Sequence, residues 1–84
     1  NAEDPAEAAS RRELPHVLND VIAALPDREA EVIRRRFILG ESLEKIGAAL
    51  GRSRQRVYQI ERQALSHLKG ALQQRGYATA TDLI

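Results

Sequence analysis

The sequence contains no cysteine, no methionine and no tryptophan, and it has only one phenylalanine and two tyrosines. Without cysteine there is no disulfide framework, no thiol chemistry and no zinc site with cysteine ligands. No apolar run approaches the roughly 20 residues of a membrane-spanning helix, and no signal-peptide pattern occurs. We therefore expect a cytoplasmic protein without a membrane segment. Because the chain has no methionine for a start codon, we also expect it to be a fragment of a longer protein.

Motifs of known enzymes are missing as well. The sequence has no phosphate-binding loop, no nucleophile elbow and no spacing typical of metal ligands. Its two histidines, His16 and His67, lie far apart, and each is more typical of a helix surface than of a metal site. We expect no catalytic residue, no cofactor and no metal ion, and the protein is predicted not to be an enzyme.

The charges are unevenly distributed along the chain. The net charge is +1, but residues 1–31 hold eight acids and three bases, whereas residues 32–84 hold ten bases and four acids. Eleven arginines stand against two lysines, and the planar guanidinium group suits phosphates and guanine edges. The second half of the chain is therefore predicted to face an anionic partner.

Apolar residues at helical spacing predict one small all-α domain of four to five helices. We assign residues 1–11 to a linker or the start of the first helix, 12–74 to the domain and 75–84 to a tail. The first helix carries an apolar stripe over residues 14–25, and Pro26 marks the start of the second helix. The apolar side of this second helix, which ends at Gly40, is predicted to consist of Ala30, Ile33 and Phe37.

The C-terminal half of the domain has the pattern of a helix-turn-helix. Ser42 and Ser53 are suited to cap a short helix and a longer helix that ends near Gln74. Gly51 lies where the turn needs a left-handed backbone, and Gly47 is small where the two helices must cross closely. An ordinary αα-hairpin packed in a core shares these features, so the exposed face of the longer helix decides between the two interpretations.

That exposed face is rich in arginine, glutamine and tyrosine. Arginine reads guanine O6 and N7 in the major groove of double-stranded DNA, and glutamine reads adenine N6 and N7. The only nearby acid, Glu61, falls about 40° from the centre of the buried stripe, so we expect it to hold a structural ion pair. The candidate DNA-binding residues are Arg52, Ser53, Arg54, Gln55, Arg56, Tyr58, Gln59 and Arg62.

Three stretches resemble region four of the bacterial sigma-70 family of RNA polymerase sigma factors. They are residues 25–37 (LPDREAEVIRRRF), 43–51 (LEKIGAALG) and 53–65 (SRQRVYQIERQAL), and the resemblance covers roughly residues 12–72. It implies a promoter-recognition module that reads the −35 element through its recognition helix and docks on the flap of the RNA polymerase β subunit. An anti-sigma factor or a transcription activator would be a further partner. The resemblance also implies candidate phosphate contacts or intradomain partners, namely Arg34, Arg35 and Arg36.

The first two helices carry more apolar side chains than packing on a short helix-turn-helix needs. Some must line the core, and we expect the others to form an exposed apolar groove, which usually marks a protein interface. The resemblance implies that the helix at the tip of the β flap lies in this groove. The predicted partner surface consists of Leu18, Ile22, Phe37, Ile38 and Leu39.

The sequence also departs from housekeeping members of the family. Those members usually have glutamate in place of Gln55 and arginine in place of Tyr58, and both positions are among the candidate DNA-binding residues. The linker between Phe37 and Leu43 is several residues shorter than in housekeeping members. We therefore expect an alternative or atypical sigma factor whose preferred promoter hexamer differs from the housekeeping one.

Two other functions remain open at this point. The same fold could bind an operator as a homodimeric helix-turn-helix regulator, which requires a self-complementary apolar surface. The chain could also be a sigma-like protein-interaction module that binds polymerase or a regulator without reading DNA. An upstream segment rich in aromatic residues, of the type that melts the downstream promoter element, would favour the sigma interpretation.

Overall fold

The computed structural model describes residues 5–77, with side chains from residue 15 onward. This part of the chain is helical and contains no strand, which confirms the predicted all-α class with a helix-turn-helix. Residues 1–4 of the predicted linker and 78–84 of the predicted tail lie outside the described residues. The elements are α1 (Pro5–Ala24), α2 (Asp27–Ile33), a π-helical turn (Arg34–Ile38), α3 (Leu43–Leu50) and α4 (Arg54–Gln74).

Two apolar clusters form the core, and α2 and α4 contribute to both. The first cluster joins the end of α1 to α2 and to the second half of α4. The second cluster joins α2 to α3 and to the first half of α4. As a result, α4 is held along its length by two different sets of partners. The first cluster contains Val21, Ile22, Leu25, Ala30, Ile33, Ala64, Leu68 and Leu72. The second cluster contains Val32, Leu43, Ile46, Val57 and Ile60.

The ends of α3 and the start of α4 follow the predicted capping residues. The Ser42 hydroxyl accepts a hydrogen bond from the backbone N–H of Lys45 at 3.1 Å, and the Ser53 hydroxyl accepts one from Arg56 at 3.1 Å. Gly51 ends α3 with a φ of 66°, a left-handed conformation that costs a residue with a Cβ free energy. These three predictions are confirmed.

Gly47 lies against the backbone of the turn. A Cβ added there would meet the carbonyl oxygen of Arg52 at 2.6 Å. The backbone N–H of Arg52 in turn donates to the carbonyl of Gly47 at 2.9 Å. The prediction that this position must be small is confirmed, although the close neighbour is the turn itself and not the side of α4.

The second helix does not continue as an α-helix up to Gly40. It widens into the π-helical turn, in which the backbone N–H of Leu39 donates to the carbonyl of Arg34 at 3.0 Å. A π-helical turn holds more residues per turn than an α-helix, so the next side chains are rotated away from the stripe set by Ala30 and Ile33. The placement of Phe37 on the apolar side was therefore wrong, because its side chain is 58% exposed.

The end of α4 is closed by residues that had been assigned to the tail. Gly76 has a φ of 85°, and its N–H donates to the carbonyl of Gln73 at 3.0 Å. The N–H of Tyr77 donates to the carbonyl of Leu72 at 2.9 Å, which completes a Schellman motif. The Tyr77 side chain packs against the first cluster, so residues 75–77 form part of the folded unit.

None of the helices within residues 5–77 is long and apolar enough to cross a membrane. Among the side chains of residues 15–77, no group of three histidines or carboxylates is arranged to hold a metal ion.

Candidate nucleic-acid interface

The first turns of α4, with the turn that precedes them, present a polar and basic surface to solvent. Val57 and Ile60 point into the second cluster, while the side chains around them turn outward. All eight predicted DNA-binding residues are exposed, as contact with DNA requires, and their contact with DNA stays a prediction. We call this surface the groove face; it consists of Arg52, Ser53, Arg54, Gln55, Arg56, Tyr58, Gln59 and Arg62.

The groove face carries no carboxylate. Glu61, the one acid between residues 52 and 66, is only 7% exposed. Its Oε1 accepts a hydrogen bond from Nε of Arg36 at 2.9 Å, which forms an ion pair. The prediction that Glu61 holds a structural ion pair is thus confirmed. Because Glu61 is buried and is the one acid between residues 52 and 66, all the exposed side chains in this range are positive or neutral.

Arg35 and Arg36 tie the π-helical turn to the rest of the domain. Nη1 of Arg36 also donates to the backbone carbonyl of Glu41 at 3.2 Å. Arg35 donates through Nε to Glu31 at 3.1 Å and through Nη1 to Glu41 at 3.2 Å. Glu41 and, to a smaller extent, Glu31 raise the pKa of the Arg35 guanidinium above its ordinary value, so this group stays charged.

The three arginines that were predicted to contact phosphates therefore differ in whether they already pair with a carboxylate of the domain. Arg35 and Arg36 hold carboxylates of the domain, which is the second of their two predicted roles. Arg34 is exposed and forms no ion pair with the side chains of residues 15–77. Of the three, Arg34 remains the candidate for contact with a phosphate.

Two side chains of the groove face contact each other. Nη1 of Arg56 donates to Oε1 of Gln59 at 3.4 Å. The two residues are three positions apart on α4, a spacing that brings side chains together on one helix face. The sequence reasoning treated them as separate DNA contacts and missed the pairing, although this spacing was the available signal.

The second half of α4 is fastened to α2 by a polar contact that the sequence reasoning also missed. Nδ1 of His67 lies 2.7 Å from Oε1 of Glu29. The Glu29 carboxylate is buried at the helix contact, whereas the His67 ring is largely exposed. This contact lies more than one helical turn beyond the groove face, so we interpret it as part of the scaffold.

The predicted partner surface divides into an exposed part and a core part. The side chains of Phe37, Ile38 and Leu39 are 58%, 62% and 66% exposed, and we call these three residues the apolar patch. Leu18 is half-buried against the first cluster. Ile22 is a buried member of that cluster, so its assignment to the partner surface is corrected: its side chain packs against α2 and α4.

A short helix, a turn with a left-handed glycine and a longer helix with an exposed basic and amide face define a helix-turn-helix domain. A family profile described as "Sigma-70, region 4" matches residues 21–70. The chain belongs to this family.

Curated relatives agree with the profile. The chain is similar to the RNA polymerase sigma factor SigA of a Bacillus species, with 41% identity over 69 residues, which cover 77% of this chain and 18% of the relative. It is also similar to the RNA polymerase sigma factor SigA of Listeria monocytogenes, with 38% identity over 73 residues, which cover 82% of this chain and 20% of the relative. The chain thus spans about one fifth of the length of these relatives. No solved structure matches it significantly.

Proposed function

We propose that this chain is the part of a sigma factor that reads the −35 promoter element through the groove face and docks on the β flap of RNA polymerase. The family supports a general role in promoter recognition, in a domain that is not itself an enzyme. The observation that carries the finer proposal is the groove face without a carboxylate, since Glu61 is turned inward and paired with Arg36. A positive face of this kind favours the DNA backbone and the acceptor-rich edges of bases.

The arrangement of the groove face suits the major groove. Recognition helices contact base edges with residues of their N-terminal half, and this half of α4 holds Arg54, Gln55 and Gln59. Arginine pairs with guanine O6 and N7, and glutamine with adenine N6 and N7. The two clusters hold α4 at both ends of its length, so these side chains project from a rigid element.

The groove face can be tested by truncating one base-reading candidate at a time. Replacing Arg54 or Gln59 by alanine should weaken binding to the preferred duplex by about 1–2 kcal/mol and relax preference at one base pair. Fluorescence anisotropy with a set of singly substituted duplexes measures both quantities. The matched control is Gln74→Ala, which removes an exposed glutamine from the last turn of α4. If the substitution weakens binding to every duplex equally, the residue contacts a phosphate and not a base. If binding is not weakened at all, the proposal is contradicted.

Binding should also depend strongly on salt. Residues 52–75 hold six bases and one acid, and each phosphate that they neutralise adds about −0.9 to the slope of log affinity against log salt. We expect a linear decline whose slope becomes less steep by about 1 in Arg52→Ala, because this exposed turn residue precedes α4. Anisotropy titrations at a series of salt concentrations give the slope. A slope near zero would favour a module that binds only proteins.

The apolar patch is the proposed docking site for the β flap. A shallow depression beside it combines Ala23, Ala30 and Leu39 with the charged side chains of Asp27, Glu31, Arg34 and Arg35. An amphipathic helix whose apolar side contacts such a surface is a common mode of recognition. Ile38 and Leu39 are exposed, so aspartate at either position leaves the core intact.

We expect Ile38→Asp and Leu39→Asp to lose binding to an isolated β-flap fragment while the unfolding midpoint changes little. Surface plasmon resonance measures the binding, and circular dichroism measures the folding. Ala48→Asp, which places the same charge on an exposed position of α3, serves as the control and should retain binding. A chain that ignores the flap but forms a concentration-dependent homodimer would favour the regulator that binds an operator as a dimer.

A further inference from the structure

Arg56 and Gln59 of the groove face form a hydrogen bond with each other. The proposed function treats the two residues as independent DNA contacts and does not account for this bond. Arg56 lies on the exposed side of α4 and has no carboxylate within salt-bridge distance among the side chains of residues 15–77. Within that range, the one hydrogen-bond partner of its guanidinium group is the side-chain oxygen of Gln59, at 3.4 Å. Both side chains are exposed in the half of α4 that faces the groove in the proposed function.

The chemistry of the pair fixes the orientation of the amide. A guanidinium group can only donate hydrogen bonds, so the atom of Gln59 beside Arg56 must be Oε1. The Nε2 amide group then lies on the other side of Cδ, in the same plane as Oε1. The pair therefore presents N–H groups outward, from the side-chain amide of Gln59 and from the guanidinium group of Arg56.

This orientation changes which base the glutamine fits. A glutamine that reads adenine uses Oε1 to accept from N6 and Nε2 to donate to N7. When Arg56 donates to one of the two lone pairs of Oε1, the guanidinium group occupies one side of that oxygen, and its positive charge repels the N6 amino group of adenine. Guanine presents two acceptors, N7 and O6, and thymine presents O4. A positively charged surface that mainly donates hydrogen bonds fits these edges better than it fits adenine.

We propose that Arg56 is a positioning residue that turns Gln59 from an adenine reader into a reader of guanine or thymine. The inference rests on the proposed reading of DNA by the groove face and adds the class of base read at one position. In water the hydrogen bond is weak because both groups are solvated. A hydrogen bond is stronger where water is displaced, so the contact between Arg56 and Gln59 gains strength in the groove.

The test is selection of bound duplexes from a random DNA pool with the 84-residue chain, followed by sequencing of the bound fraction. The position read by Gln59 is the one whose preference disappears in Gln59→Ala. At that position we expect the unaltered chain to prefer guanine or thymine over adenine by about tenfold. We expect Arg56→Ala to shift the preference toward adenine at the same position and to leave preferences at the other positions unchanged.

Two further variants separate positioning from charge. Arg56→Lys keeps a donor beside Oε1 and should restore the preference for guanine or thymine. Arg62→Ala removes an exposed arginine that forms no hydrogen bond with Gln59 and should lower affinity without changing the preferred base.

Three results would overturn the inference. The first is a preference for adenine in the unaltered chain, which means that Gln59 reads alone. The second is a base preference at this position that does not change in Arg56→Ala. In that case Arg56 is a phosphate contact, and the proposed function is unaffected. The third is a pool in which no sequence is enriched, and that result contradicts the proposed reading of DNA as well.

Discussion

Replacing Gly47 by alanine destabilises the domain by about 3 kcal/mol, the upper range for overpacking at a site that cannot relax. The new methyl group meets the carbonyl oxygen of Arg52 at 2.6 Å. That oxygen belongs to the turn between α3 and α4, which is held by the hydrogen bond from Arg52 to Gly47 and by the left-handed Gly51. The turn must shift to make room, and the start of α4 shifts with it.

Gly70 supplies the matched control for this substitution. It also lies inside a helix, but a Cβ added there has no neighbour within 4 Å. Gly70→Ala should therefore stabilise the domain by about 0.5–1 kcal/mol, because alanine is the better helix former. Urea unfolding followed by circular dichroism measures both variants. Similar changes in the two variants, in either direction, would contradict the account of the turn.

Replacing Arg36 by alanine destabilises the domain by about 2–3 kcal/mol. The substitution leaves the Glu61 carboxylate buried without its positive partner, and breaking a fully buried pair costs about 3–5 kcal/mol. The expected value is smaller because the Arg36 side chain is 36% exposed, so water reaches part of the pair. The hydrogen bond from Arg36 to the carbonyl of Glu41 is lost as well.

Glu61→Gln tests the opposite side of the same pair and should cost only about 1 kcal/mol. The amide oxygen can still accept from Arg36, and the partly exposed guanidinium stays solvated. Thermal and urea unfolding of the two variants, side by side, measure the difference. A larger loss for Glu61→Gln than for Arg36→Ala would mean that the buried carboxylate is not the group that needs its partner.

The helix boundaries near the turn follow from single residues, which is why the sequence could predict them. Ser42 and Ser53 have short hydroxyl side chains that cap a helix locally, and Gly51 supplies a positive φ that other residues rarely adopt. Each of these effects depends on neighbours within four positions along the chain. The exposure of the groove face follows as well, since it is the side of α4 opposite to Val57 and Ile60.

The π-helical turn could not be predicted from the local sequence pattern. Within this turn, Arg36 contacts Glu61, 25 positions later along the chain, and the side chain of Phe37 is exposed. A continuous helical pattern in residues 27–38 gives no sign of this change. The sequence indicated that Glu61 would be paired but did not identify its partner.

The partner surface was partly mispredicted for a similar reason. Apolar residues in excess of one stripe indicate that some are exposed, but they do not say which. Ile22 packs between α2 and α4 because the second half of α4 lies over α1, a placement that depends on Leu68 and Leu72. The apolar residues that are exposed are those of the apolar patch at the π-helical turn.

The central claim, that the groove face of α4 reads duplex DNA, is tested most directly by nuclear magnetic resonance. The isotope-labelled chain is titrated with a duplex of the selected sequence and, separately, with a scrambled duplex of equal length. We predict large changes in the amide and side-chain signals of residues 52–62 with the selected duplex, smaller changes with the scrambled one, and little change at the apolar patch. Signals of residues 52–62 that stay unchanged with both duplexes, in a chain that still binds the β flap, would contradict the claim.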